Sequence, residues 1–214
     1  MSRFSELKIK DSFWLGRVLP TVLVALILGL LVHFFLFSGG VVRGSAMQPN
    51  LKAGQYVWIN RVSKVERGDV IAFKGSVVDP RHAHAGQYVQ RVIAVGGDTV
   101  KFQDGQLYVN GHRVRQEAIA DDQKGPGTAL GFGDSWDLQS LSASKLWKKG
   151  DRNQKRVPKG AYFVLGDDRS QANDSRYFGF VSQKAVLGRV TLPAWAGTGQ
   201  QRQAVNDGRQ QYWA

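Results

Sequence analysis

The sequence predicts a mainly β protein, a domain of coiled antiparallel sheet carried behind one N-terminal membrane-spanning helix. Three observations predict it. Leu19 to Phe37 is an apolar stretch of about bilayer length. Beyond it come short runs rich in β-branched and aromatic residues, broken by Gly-Asp and Gly-Gly pairs. Finally, Asp104-Gly105 and Asn110-Gly111 bracket Gln106 to Val109, as tight turns bracket a strand.

The apolar stretch carries Pro20 in its first turn, where proline is tolerated, and its one ionisable residue, His33, near the far end. Arg3, Lys8, Lys10 and Arg17 precede it against Glu6 and Asp11. By the positive-inside rule residues 1–17 stay cytoplasmic, 18–38 cross the inner membrane, and the chain from about residue 40 is periplasmic or otherwise extracytoplasmic. Cleavage as a signal peptide at Ser38-Gly39-Gly40 is the alternative, but the stretch is long for one.

The strands expected next are Tyr56–Ile59, Val70–Phe73, Tyr88–Val95, Thr99–Phe102, Gln106–Val109, Ala161–Leu165 and Val186–Leu192. Residues 39–196 form the domain. Within it, residues 117–157 are Gly-, Lys- and Asp-rich and poorly periodic, and are expected to be a mobile surface insertion with one short helix near Ser140 to Trp147. The polar, Gln-rich tail 197–214 is expected to be disordered up to Tyr212-Trp213.

Net charge is +12, from 29 Lys and Arg against 17 Asp and Glu. The basic residues are scattered and no helix-turn-helix or RNA-binding motif accompanies them, which argues against a nucleic-acid partner. An anionic lipid surface is the better match. The absence of cysteine leaves the redox compartment open. Asp79, His82 and His84 lie close together, but a solvated hairpin explains them better than a metal, and no cofactor is implied.

Four motifs follow in order. They are Gly44-Ser45-Ala46-Met47-Gln48-Pro49-Asn50-Leu51, Arg67 to Lys74, Tyr88 to Val100 and Gly166 to Val181. Together they resemble the conserved boxes of the type I signal peptidases, from the apolar stretch to about Pro193. The resemblance implies a membrane-anchored serine endopeptidase acting on exported precursors through a Ser–Lys dyad, and places the variable insertion of that family at 117–157. It puts the nucleophile at Ala46, the general base at Gln90 and the hydroxyl that orients the base at Ala172.

None of the three has the required chemistry. A serine needs an adjacent base, and a lysine serves as that base only when burial lowers its pKa. An amide takes no proton near neutral pH. Ser45 is not expected to substitute, because neighbouring side chains on an extended strand face opposite ways, and Lys74 is expected at the surface.

The resemblance further assigns Gly44, Ser45, Met47, Pro49, Tyr88 and Val89 to a peptide groove, and Arg91, Asp167, Asp174 and Arg176 to bracing ion pairs. Three readings follow. One is a non-catalytic member that binds an exported precursor or pilin-like subunit during secretion, pilus or conjugation assembly. The second is an active signal peptidase seen as an inactivated variant. The third is a structural membrane component with a vestigial groove.

Overall fold

The computed structural model describes residues 14–82, 84, 86–117, 119, 123–124 and 135–212. The chain divides into two compact units, Met1–Ser38 and Gly39–Ala214.

In the first unit a wide helical turn, Trp14–Val18, leads into a helix over Leu19–Leu36. The Thr21 hydroxyl donates to the Arg17 carbonyl at 2.7 Å across the joint. Leu19, Val22, Leu23, Leu26, Leu28 and Leu31 are exposed, so the helix presents apolar side chains all round rather than one buried stripe. The helix is shorter than the expected 18–38. Helix ends at Leu36, and Phe37–Val41, with its Ser-Gly-Gly, is already a strand, β1. Among the described residues no helix is long and apolar enough to cross a membrane. The charged flank from Arg3 to Asp11 lies outside the described residues.

The second unit is built on a seven-stranded sheet. Its further strands are β2 (Tyr56–Asn60), β3 (Val70–Lys74), β4 (Gln87–Val95), β9 (Ala161–Leu165), β10 (Val181–Ser182) and β11 (Val186–Thr191), in the order β1-β2-β11-β3-β4-β9-β10. Every pairing from β2 to β10 is antiparallel. Val70 to Phe73 are all buried, as befits a strand covered on both faces. A four-stranded sheet follows from β5 (Val100–Gln103), β6 (Gln106–Val109), β7 (His112–Arg113) and β8 (Trp136–Asp137). Asp104, Gly105, Asn110 and Gly111 all have positive φ, between 51° and 81°. That is the mirror-image turn matched to strand twist, and it closes the β5–β6 hairpin with Gln103 opposite Gln106.

Two expectations fail in instructive ways. The described part of 117–157 is not a mobile surface segment: Trp136, Leu138, Leu141, Trp147 and Val157 enter the largest core cluster. Its helix, Leu138–Ser142, starts where the Asp137 carboxylate accepts from Ser140 N–H, earlier than expected. The irregular spacing of those side chains concealed the burial. The tail is folded as well, into helices Gly199–Asn206 and Gly208–Tyr212. Thr198 and Gln201 form a reciprocal cap, Val205 is fully buried and Tyr212 is 2 % exposed. Buried Ala204, Val205 and Tyr212, with Arg209 paired to Asp69 and Glu66, dock an otherwise polar segment. Thr198→Ala removes the cap and is expected to lower stability by ~1 kcal/mol, measured by urea denaturation.

Candidate functional site

Residues 42–51 form a turn-rich loop rather than a strand. Val42 is tied to the chain at Gln55 and Gly54, and buried Met47 and Leu51 pin the rest. Gly44 takes φ 81°, a backbone state open to glycine. Ser45 is exposed, Ala46 half-buried, Met47 2 % exposed and Pro49 exposed. The strand argument about Ser45 is thus corrected: a turn, not strand alternation, separates its side chain from that of Ala46. The Pro49 carbonyl accepts from Gln201 Nε2 at 2.8 Å, so the tail helix holds the loop from behind.

The carbonyl of Ala46 accepts from Asp168 N–H at 3.1 Å. Gly166 lies against it so closely that an added Cβ would sit 2.5 Å from that carbonyl oxygen and collide with the Ala172 methyl. Position 166 therefore admits only glycine, and it draws Ala46 and Ala172 to one point. Gln90, on β4, is 2 % exposed and donates from Nε2 to the Asn173 carbonyl at 2.7 Å. Positions 46, 90 and 172 thus occupy one neighbourhood. Its groups are two methyls and an amide, which can donate and accept hydrogen bonds but holds no base.

Beneath this point lies a charged frame. Arg91 meets Asp167 with two hydrogen bonds, Nε to Oδ1 at 2.8 Å and Nη2 to Oδ2 at 2.6 Å, with both side chains wholly buried. Nη1 donates to the carbonyls of Gly68 and Ala204, and the guanidinium lies 4.8 Å from the Tyr212 ring centre. Burial works against its charge, but Asp167 more than offsets it and the Arg91 pKa stands above the ordinary arginine value. Asn50 Nδ2 donates to the same carboxylate at 2.8 Å, joining the Ala46 loop to the frame. Asp174 and Arg176 form a second buried, two-pronged pair at 2.8 Å, and Asp174 also accepts from Gly166 N–H. Arg91, Asp167, Asp174 and Arg176 thus form two buried ion pairs.

Among the described residues, two stretches beside this point keep unpaired backbone groups. β9 pairs with β4 from Arg91 to Val95, so among the described residues Gln87 to Gln90 are paired on one side alone, with β3. Among the described residues, no hydrogen bond engages the N–H groups of Arg43, Gly44, Ser45 and Ala46. Val89 packs against the cluster that holds Val42 and Met47. Tyr88 turns to the other face, its ring 5.8 Å from Phe73 and 6.1 Å from Phe178. Lys74 is exposed at the end of β3.

The solvated hairpin expected around Asp79 is overturned. Asp79 is fully buried and accepts from Asn173 Nδ2 and pairs with His82 Nδ1, each at 2.7 Å. Burial pushes its carboxyl up, but Asn173 and His82 outweigh that and hold it below the usual range. Among the described residues no group of three acidic or histidine side chains could hold a metal. Sequence reasoning also missed Asn50, Asn173 and Arg169. Arg169 is buried, donates to the Gly166 carbonyl at 2.7 Å and to Gln116 Oε1 at 2.8 Å, and has its pKa lowered by burial. Its place inside the Gly166–Val181 motif was the available signal.

Residues 15–195 match the family model described as signal peptidase, peptidase S26. The chain is 34 % identical over 172 residues to signal peptidase I of Bacillus licheniformis, covering 78 % of this chain and 81 % of that one. It is 31 % identical to signal peptidase I T of Bacillus subtilis strain 168, covering 78 % of each. A crystal structure of a signal peptidase I from Enterococcus faecalis V583 aligns with TM-score 0.47 and 33 % identity, covering 61 % of this chain and 99 % of that one. With the family model matched over residues 15–195 and relatives 34 % and 31 % identical, the chain belongs to the signal peptidase family, peptidase S26.

Proposed function

We propose that this protein is a non-catalytic member of the family that holds an extended segment of an exported precursor or pilin-like subunit during secretion, pilus or conjugation assembly. The observation that carries the reading is an intact frame around a site without reactive groups. Two buried ion pairs, Gly166 and Asn50 hold Ala46, Gln90 and Ala172 together. A hydrolase needs an attacking group and a base there, and a binding site needs neither.

The open side of β4 at residues 87–90 and the free N–H groups of residues 43–46 favour capture by strand addition. An incoming peptide would hydrogen-bond along residues 87–90 and 43–46, and the small side chain of Ala46 leaves room for a small residue opposite. Retention at the inner membrane belongs to the same proposal. The apolar helix Leu19–Leu36, lengthened by its helical lead-in, acts as anchor with the N-terminus cytoplasmic. Most of the chain's net charge of +12 lies beyond the apolar helix and draws the exported domain to anionic lipid. Trp195, 74 % exposed and in edge contact with Trp58, supplies an amphipathic ring suited to that interface.

A photoreactive residue placed at Val89 tests the groove. A precursor with small residues near its export-signal end is expected to crosslink there, and Ala46→Trp is expected to abolish both the crosslink and assembly at unchanged expression. If assembly survives the block, the groove is vestigial and the protein is a structural membrane component.

A further inference from the structure

The carboxamide of Gln90 has a fixed orientation. Only its NH2 group can face the Asn173 carbonyl, 2.7 Å away, so Oε1 must point the other way. That oxygen is buried and, among the described residues, accepts no hydrogen bond. Ala46 and Ala172 beside it end in methyl groups, and the Asp168 N–H is given to the Ala46 carbonyl. Buried acceptors are seldom left so, because the water they lose must be replaced.

We propose that Gln90 Oε1 accepts a backbone N–H of the docked peptide and thereby sets the register in which the peptide lies over Ala46. The inference rests on the peptide-binding reading above and adds the residue that aligns the ligand. An extended strand added beside residues 87–90 directs an N–H toward its neighbour at every second residue. Glutamine suits the position because one neutral group both donates inward to Asn173 and accepts outward from the ligand. A lysine would offer donors only, and a glutamate would bring a buried charge. Because Gln90 is covered in the free protein, the contact forms as the peptide enters between β4 and the Ala46 turn.

The test is an ester-for-amide scan of a synthetic peptide with an Ala-Xaa-Ala segment like the end of an export signal, read by fluorescence anisotropy with the full-length protein. Each ester deletes one N–H and leaves the protein unaltered, so folding is not in question. One ester is expected to weaken binding by about fivefold to tenfold, the worth of one hydrogen bond. Gln90→Met is expected to weaken the all-amide peptide equally, and to make that ester cost nothing further. If the all-amide peptide binds but the scan is flat, or if the ester penalty persists in Gln90→Met, the role of Gln90 is overturned while the peptide-binding reading stands. If no peptide binds the unaltered protein, both fall.

Discussion

Arg91→Ala is expected to lower the melting temperature by on the order of 10 °C, the largest stability loss of any change near the site. The substitution leaves the Asp167 carboxylate wholly buried with Asn50 as its remaining side-chain partner. Removing one member of a buried pair costs roughly 3–5 kcal/mol, and each kcal/mol shifts the midpoint of a domain this size by about 2–4 °C. Two carbonyls, of Gly68 and Ala204, lose their donor as well, and Tyr212 loses the cation against its ring. Gln90→Ala, one residue away, forfeits a single hydrogen bond to Asn173 and should cost about 1 kcal/mol. Thermal melts of the two variants side by side check the contrast. Equal, small shifts would show that the Arg91 pair does not hold the domain together.

Much of this frame was legible before any coordinates. Strands β2, β3, β4, β5, β6, β9 and β11 fall within a residue or two of their expected ranges, because each is a run of β-branched and aromatic residues closed by turn formers. The two-residue strands β7, β8 and β10 carry too little pattern to be read, and β1 is masked by its two glycines. The tail was misjudged because its composition is polar, whereas its docking depends on where Tyr212 and Val205 lie. Asp79 was misjudged for the converse reason: a lone acidic residue among histidines reads as solvated, and only Asn173, far along the chain, explains its burial. The pairings of Arg91 with Asp167 and of Asp174 with Arg176 come from the resemblance, since local pattern names no partner. Ser45 shows its limit, since the motif gave the residue but not the turn that sets its direction.

The second large effect concerns turnover. Ala46→Ser alone is expected to stay at background, because a serine without its base is no nucleophile, and losses of that kind reach about 10⁶-fold in a well-studied serine protease. Ala46→Ser with Gln90→Lys is expected to remain weak. The Asn173 carbonyl that now accepts from Gln90 would accept from the ammonium, and hydrogen bonding to the charged form holds a lysine pKa up. Adding Ala172→Ser supplies the competing hydroxyl, and this triple variant is expected to show the first cleavage above background. The readout is release of the mature product from a labelled precursor across the three variants. Full activity in Ala46→Ser alone would contradict the assignment of Gln90 to the base position.

The central claim is that the unaltered groove binds and does not cut, and one measurement addresses it most directly. A precursor that crosslinks at Val89 is incubated with the unaltered protein in detergent or vesicles, and its mass is followed by mass spectrometry. The account predicts an intact precursor at all times, with cleavage no faster than in buffer. Release of a mature product that stops in Ala46→Trp, which blocks the groove, would contradict it and place the nucleophile elsewhere, with Ser45 the nearest hydroxyl in the chain.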